Sequence, residues 1–324
     1  CLVISVGNIT VGGTGKTPDV EIFARALTAG GRKGAIVSRG YKARSPSLRW
    51  RLRHRRFFSS TKVVHDGKQL LLGARVAGDE PCMLAQNLGN VIVITDKNRV
   101  RGSRYAIEHF NADTIILDDG MQHLPLQRQL EVVLIDATCP FGYGYLIPRG
   151  LLREPLTGLA RATHIFITKA RDIDVSPIIA RIRQFNAKAE ILACHYTPVS
   201  LVNLHSGESF PMSAIRGQEV FIMTGIANPE GFASTVASLG ARVARAYTYP
   251  DHHRFRREEI EHVYSRAEQW EADAILMTEK DAVRFSRRAG AQQRSCPVYY
   301  LKVAIAIREG EQDFTDCITR ICYP

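Results

Sequence analysis

Short, almost uninterrupted apolar runs recur along the first two-thirds of the chain. Between them, apolar positions return every three or four residues. The runs at 2–6, 34–38, 91–95, 114–117, 132–136 and 164–168 read as strands, and 19–29, 81–88 and 99–110 read as helices. A strand with no polar face has to be covered on both sides, so this pattern predicts a parallel sheet wound with helices on each face. Around 196–211 the pattern becomes shorter and more polar, which reads as a linker or β-ribbon. It resumes with strands at 220–225, 241–249, 274–278 and 298–307 and helices at 229–239 and 257–270. The expected organisation is a first domain over 1–195, a linker over 196–211, and a smaller α/β domain over 212–324 whose tail helix, 311–322, packs back on the first domain. A length of 324 residues suits two such domains.

Residues 42–62 break the alternation. Arg44, Arg49, Arg51, Arg53, Arg55 and Arg56 interleave with Trp50, Phe57 and Phe58. This is either a solvated insertion or a contact for phosphate or anionic lipid; single-stranded nucleic acid would use the same mixture. The formal charge of +11 asks for an anionic partner. The basic residues do not gather around a recognisable nucleic-acid motif, so nucleic acid is not the expected partner. The seven cysteines include no Cys-x-x-Cys pair and read as reduced thiols. No window reaches the ~18 uninterrupted apolar residues of a membrane-spanning helix. The chain begins at Cys1, inside the first apolar run, so residues upstream of it are expected.

The first run changes the picture most. It leads into Gly7-Asn8-Ile9-Thr10-Val11-Gly12-Gly13-Thr14-Gly15-Lys16-Thr17-Pro18. Glycines let backbone N–H groups curl around an anion, and the helix start adds its dipole. Thr10 to Thr17 would cradle the phosphates of a nucleotide, with Lys16 on the β- and γ-phosphates and the Thr17 hydroxyl on Mg²⁺. Thr10 stands where the usual P-loop has glycine, so the loop is atypical.

Other polar residues fall where ligands of α/β sheets gather, at strand ends. Asp118 closes the run 114–117 in the position of a carboxylate near Mg²⁺, followed by Asp119, Gln122 and His123. Asp79-Glu80-Pro81 reads as an acidic helix start, or as a place where Asp79 takes a proton from a substrate hydroxyl. Asp251-His252-His253 ends a strand, with no third residue at zinc spacing. Between Phe141 and Pro155 glycines alternate with aromatics before Arg149, Arg153 and Glu154, which reads as a phosphate grip or as a structural loop held by Arg–Glu pairs. Thr278-Glu279-Lys280-Asp281 reads as a charged helix start.

Together these segments resemble the tetraacyldisaccharide 4'-kinases, the lipid A 4'-kinases. The matching text is Ser5 to Pro18, Ser38-Arg39-Gly40-Tyr41, Gly78-Asp79-Glu80-Pro81, Asp118-Asp119-Gly120-Met121-Gln122-His123, Asp136-Ala137 with Pro140-Phe141-Gly142, Pro148 to Pro155, Pro250-Asp251-His252-His253 and Thr278-Glu279-Lys280-Asp281. It runs in order through nearly the whole chain, and Thr10 is the family's own form. The resemblance implies a P-loop NTPase-like fold and transfer of the ATP γ-phosphate to the 4'-hydroxyl of a lipid A disaccharide precursor. That work would take place at the anionic cytoplasmic face of the bacterial inner membrane, by a monomer that is either peripheral or anchored by an N-terminal helix upstream of Cys1. It implies Lys16 and Thr17 for ATP and Mg²⁺, and Asp118 and Asp119 for Mg²⁺ and the phosphates. Asp79 would be the catalytic base, with His252 assisting across a domain cleft. Arg39, Tyr41, Glu80, Gln122, His123, Arg149, Arg153 and Glu154 would line the substrate site. Family members usually carry a hydrophobic helix ahead of the P-loop. The competing reading is a nucleotide-dependent switch or chaperone-like P-loop ATPase or GTPase, which would hydrolyse nucleotide without an acceptor.

Overall fold

The structure is a computed structural model that describes residues 1–12, 15–40, 61–285 and 295–322. Gly13, Thr14, Tyr41 and the basic insertion up to residue 60 lie outside the described residues. The chain divides into two compact units, Cys1–Tyr196 with Ile305–Pro324, and Thr197–Ala304.

The first unit contains β1 (Leu2–Asn8), α1 (Lys16–Ala29), β2 (Gly34–Ser38), β3 (Lys62–Asp66), α2 (Asp79–Asn87), β4 (Ile92–Thr95), α3 (Arg99–Phe110), β5 (Thr114–Asp118), β6 (Leu130–Asp136), β7 (His164–Thr168), α4 (Ser176–Arg183) and the start of β8 (Glu190–Asn203). Its strand order is β8-β7-β6-β1-β5-β2-β4-β3. All neighbours run parallel except β3, which is antiparallel to β4. The α/β class and the wound parallel sheet are thus as the apolar runs predict. From β1 the chain proceeds to β2 on one side, and from β5 it crosses to β6 on the other. The order therefore reverses around β1, and the carboxyl ends of β1 and β5 flank the crevice where ligands bind in such sheets.

The second unit holds the end of β8, then β9 (Ser209–Phe210), β10 (Glu219–Thr224), α5 (Pro229–Ser238), β11 (Arg242–Thr248), α6 (Arg257–Gln269), β12 (Ala274–Thr278), α7 (Glu279–Arg284) and the start of β13 (Val298–Glu309). Strands β11, β10, β12 and β13 are parallel in that order. Phe221, Met223, Tyr264, Ile275 and Met277 form part of its core. Residues 196–211, read as a linker or β-ribbon, comprise the end of β8 and its antiparallel return at β9, where Leu201 faces Phe210. The chain closes with α8 (Glu311–Cys322), which packs in the first unit.

Strand alternation distributes the first unit's core over both faces of the sheet. Val133, Ile135, Ile165 and Ile167 meet Ile178 and Ile182 of α4. Phe166 points the other way, where Phe23 of α1 and Phe314 of α8 lie with ring centroids 5.8 and 6.2 Å from it. This packing, rather than helix propensity, holds α1 on the sheet and directs its first turn at the end of β1.

Candidate active site at the strand ends of the first unit

The loop after β1 is pinned by backbone bonds to the segment before Arg153. Val11 N–H donates to Leu151 O at 2.8 Å, and Arg153 N–H donates to Ile9 O at 2.8 Å. Thr10 is buried and bridges to Leu152. Gly12 adopts φ 123°, and Gly15, at φ 82°, caps the start of α1. Any side chain at position 15 would lie 2.5 Å from the Tyr196 ring, so only glycine fits there.

Lys16, the first residue of α1, extends its Nζ to Asn8 Oδ1 and to Asp119 Oδ1, both at 3.0 Å. Asp119 follows β5 in a left-handed conformation, φ 55°, which a short acidic side chain tolerates. Its carboxylate also takes a two-pronged contact from Arg153, Nη1 to Oδ1 at 2.5 Å and Nη2 to Oδ2 at 3.1 Å. Burial alone would raise the Asp119 pKa, but the hydrogen bonds and charges of Arg153 and Lys16 hold it at about 2. Next to it, Asp118 is buried and accepts Ser38 Oγ at 2.7 Å. Burial, and then the negative charge of Glu80, push the Asp118 carboxyl up.

Sequence reading gave Arg99 no role, yet it sits inside this cluster. It opens α3 at 6% exposure, and Nη2 donates to Asp119 O at 3.3 Å. Burial lowers its pKa; the charges of Arg39 and Arg153 act in the same direction, and those of Asp119 and Asp118 oppose them. Four cations, Lys16, Arg39, Arg99 and Arg153, therefore share one neighbourhood with Asp118 and Asp119, an arrangement suited to several phosphate groups. A lone arginine at a helix start carries no sequence signal; only its burial marks it.

Gln122 donates to Asn8 O at 3.2 Å and to Glu154 Oε1 at 2.8 Å, and Arg161 holds Glu154 Oε2 at 2.6 Å. Glu154 is thereby a fixed brace behind the loop. His123 lies close enough to Arg99 and Arg128 that, after burial, their charges lower its pKa further. Asp79 and Glu80 form the half-buried first turn of α2, which follows Gly78 at φ 99° and carries no side-chain cap. Gly40, next to Arg39, approaches Ala77 O, so the end of β2 lies beside this turn. Arg149 contacts the Tyr145 ring instead, its guanidinium carbon 3.7 Å from the centroid.

Behind the loop, Tyr196 donates its hydroxyl to Asp19 Oδ2 at 2.7 Å while its ring covers Gly15. Asp19 is fully buried, its Oδ1 has no hydrogen-bond partner among the described residues, and burial raises its pKa to about 8. Its folded pKa lies above the unfolded value, so the folded state binds more protons between pH 4 and 8. The associated stability is present below about pH 4 and is lost as pH rises towards 8, at up to about 1.4 kcal/mol per pH unit. Relative to Asp19→Asn, the wild type is expected to lose thermal stability between pH 5 and 8; parallel melting curves would refute the assignment. A second expectation concerns Arg153. In Arg153→Met the Asp119 carboxyl retains Lys16 alone and titrates closer to the ordinary carboxylate range. Carboxyl ¹³C NMR of aspartate-labelled protein, with Asp119→Asn to identify the resonance, would detect the rise.

In the second unit the two adjacent histidines part company. His253 Nε2 lies 2.8 Å from Glu259 Oε2 and the ring stacks on Tyr249, so this residue is part of the packing. His252 adopts φ 65°, and its Nδ1 lies 3.4 Å from Arg284 Nη2. Guanidinium only donates, so Nδ1 accepts and a neutral His252 carries its proton on Nε2. Arg284 is itself locked by Gly225 O at 2.8 Å and by Asp281, a buried carboxylate bound to Thr224 Oγ at 2.7 Å. Asp281 also accepts from Thr278, the residue that caps α7. The charged helix start read from the sequence is therefore also the bracket behind His252.

The family model described as Tetraacyldisaccharide-1-P 4'-kinase matches residues 1–323. A protein of Halothermothrix orenii is 38% identical over 297 residues, covering 88% of this chain and 74% of its own length. One from an Anaeromyxobacter species is 39% identical over 299 residues, covering 91% and 76%. Both are named tetraacyldisaccharide 4'-kinase. Among solved structures, LpxK from Aquifex aeolicus, described as an apo form in complex with ATP, is similar with a TM-score of 0.76 and 27% identity over 100% of this chain and 89% of that one.

Proposed function

The chain belongs to the tetraacyldisaccharide-1-P 4'-kinase family, and we propose that the strand-end cluster of the first unit carries out the phosphoryl transfer. The observation that carries this assignment is the placement of Lys16, held by Asn8 and Asp119 within a group of four cations at the start of α1. ATP is the donor. The acceptor is the 4'-hydroxyl of an acylated disaccharide 1-phosphate in lipid A biosynthesis.

Phosphoryl transfer needs little covalent help from a protein; positioned charge supplies most of the rate. Lys16 and the backbone of Thr10 to Thr17 would take the β- and γ-phosphates. Arg99 and Arg153 would balance the charge that spreads over the transferred group. The buried Asp118, raised by burial and by Glu80, suits a divalent cation, and Mg²⁺ needs only one or two carboxylates beside the phosphates. Thr17 and Asp118 would hold Mg²⁺, which, when bound, neutralises phosphate oxygens. Asp79 is the assigned base: its carboxylate takes the proton as the acceptor oxygen bonds to phosphorus and the bond to ADP breaks. The assignment of His252 to the same reaction rests on the resemblance. Among the described residues no helix is long and apolar enough to cross a membrane. A tetraacylated acceptor resides in a bilayer, so the chain would work at a membrane surface, and the resemblance supports the anionic cytoplasmic face of the inner membrane.

The test is incubation with γ-labelled ATP and a tetraacyldisaccharide 1-phosphate, followed by analysis of the lipid. Label at the 4'-position is expected. ATP hydrolysis with unlabelled lipid would overturn the kinase reading in favour of a nucleotide switch.

A further inference from the structure

The glycine–aromatic segment before Arg153 does something that the site chemistry does not use. Tyr143, Tyr145, Leu146 and Ile147 are 75%, 46%, 46% and 52% exposed, four large apolar side chains within five positions. Single exposed apolar residues are ordinary on a protein surface, but a contiguous group marks an interaction site.

The loop cannot hide these side chains by folding inward. Its ends are anchored by Phe141 and Leu156, which pack on the core, and by buried Leu152. Its interior is closed by Ile147 N–H to Leu152 O at 3.0 Å, Gly150 N–H to Leu146 O at 3.0 Å, Leu152 N–H to Tyr145 O at 3.0 Å and Leu151 N–H to Gly142 O at 2.9 Å. A side chain at position 150 would lie 2.3 Å from Tyr145 O, which is why glycine stands there. Tyr143 occupies a left-handed conformation, φ 64°, unfavourable for a bulky residue, while most of its surface faces solvent. Packing within the fold gains little from a tyrosine held this way.

We propose that residues 143–147 are a bilayer-docking element that inserts into the interface of an anionic phospholipid surface. Tyrosines beside aliphatic side chains are the mixture that settles at the depth of lipid headgroups. Arg149, stacked over Tyr145, supplies a cation for headgroup phosphate, and the formal charge of +11 favours an anionic surface. The backbone bonds between residues 151–153 and residues 9–11 tie the docking loop to the start of the phosphate loop. Docking would thus hold the Lys16–Asp119–Arg153 cluster at a set height above the lipid. That purpose rests on the kinase reading, whereas the docking itself does not.

The experiment is flotation with phosphatidylglycerol–phosphatidylethanolamine vesicles, comparing wild type, Leu146→Ser/Ile147→Ser and Tyr143→Ser. These exposed substitutions should leave the melting temperature unchanged. A drop of about tenfold or more in vesicle affinity is expected for the double variant, with phosphorylation of detergent-dispersed acceptor within about twofold of wild type. In Tyr143→Trp, brominated phospholipid should quench the added fluorescence. Vesicle affinity equal to wild type in both variants would overturn the proposal. So would unchanged vesicle affinity with a raised KM for dispersed acceptor, which would assign the loop to the acceptor's own acyl chains. Loop-dependent vesicle binding by a protein that labels no lipid would uphold docking and reject the kinase reading.

Discussion

Lys16→Ala is expected to reduce kcat for lipid phosphorylation by roughly three orders of magnitude or more, the scale reached when a principal charge partner of a transferring phosphoryl group is removed. The ammonium group is restrained from two sides, by Asn8 Oδ1 and Asp119 Oδ1 at 3.0 Å. It therefore meets incoming phosphate with little further ordering. Its removal leaves the start of α1 without its ammonium group, and Arg99, which opens α3, and Arg153 belong to other segments of the chain. Stability should change little, since Asp119 keeps its two-pronged contact with Arg153 when Lys16 is removed. Lys16→Arg should not rescue activity, because a planar fork does not reproduce a compact ammonium between those two oxygens. Turnover of Lys16→Ala within tenfold of wild type, measured with saturating ATP, would remove the loop from the mechanism.

Asp79→Ala is expected to lower kcat by roughly 10²–10⁴-fold, the usual contribution of a positioned base, with the Kd for ATP nearly unchanged. The competing role of Asp79, an acidic residue in a helix first turn, makes a different forecast. That role is worth about 0.3–1 kcal/mol of stability, and α2 has no side-chain cap to lose. Asp79→Asn separates the two. An asparagine keeps the shape and loses only a modest dipole interaction, yet it cannot accept the hydroxyl proton. As a base, Asp79 makes the asparagine variant as slow as the alanine variant; as a helix-start residue, it makes that variant nearly as fast as wild type.

Most of the elements were legible in the sequence because their signals are local. The run 164–168 and the helix 99–110 coincide with β7 and α3 residue for residue. The segments passed over have weak local signals. β3 is a short edge strand, α4 is two turns long, and the polar second half of β8 reads as a linker because only part of it is buried. The site divides in the same way. Lys16, Asp118, Asp119 and Arg153 stand in contiguous motifs, and the fold brings them to one strand-end cluster. Arg99, and the Tyr196–Asp19 pair behind Gly15, were given no role, since an arginine opening a helix or a tyrosine near a polar stretch is ordinary until its burial is known. Arg149 and Arg153 looked equivalent in sequence. The closed loop turns one onto Tyr145 and the other onto Asp119.

By itself the sequence determined the fold class, the phosphate loop and the identity of the acids and bases, because apolar periodicity, glycine content and residue chemistry act over a few neighbours. Only the tertiary structure decided the pairings. Lys16 meets Asp119 across 103 positions and Tyr196 reaches Asp19 across 177. Such contacts depend on strand order in a sheet, and so do burial and the pKa values that follow from it. The exposure of residues 143–147 was decided there as well: the alternation of glycine and tyrosine is local, but the hydrogen bonds that keep those side chains out of the core exist only once the loop has closed.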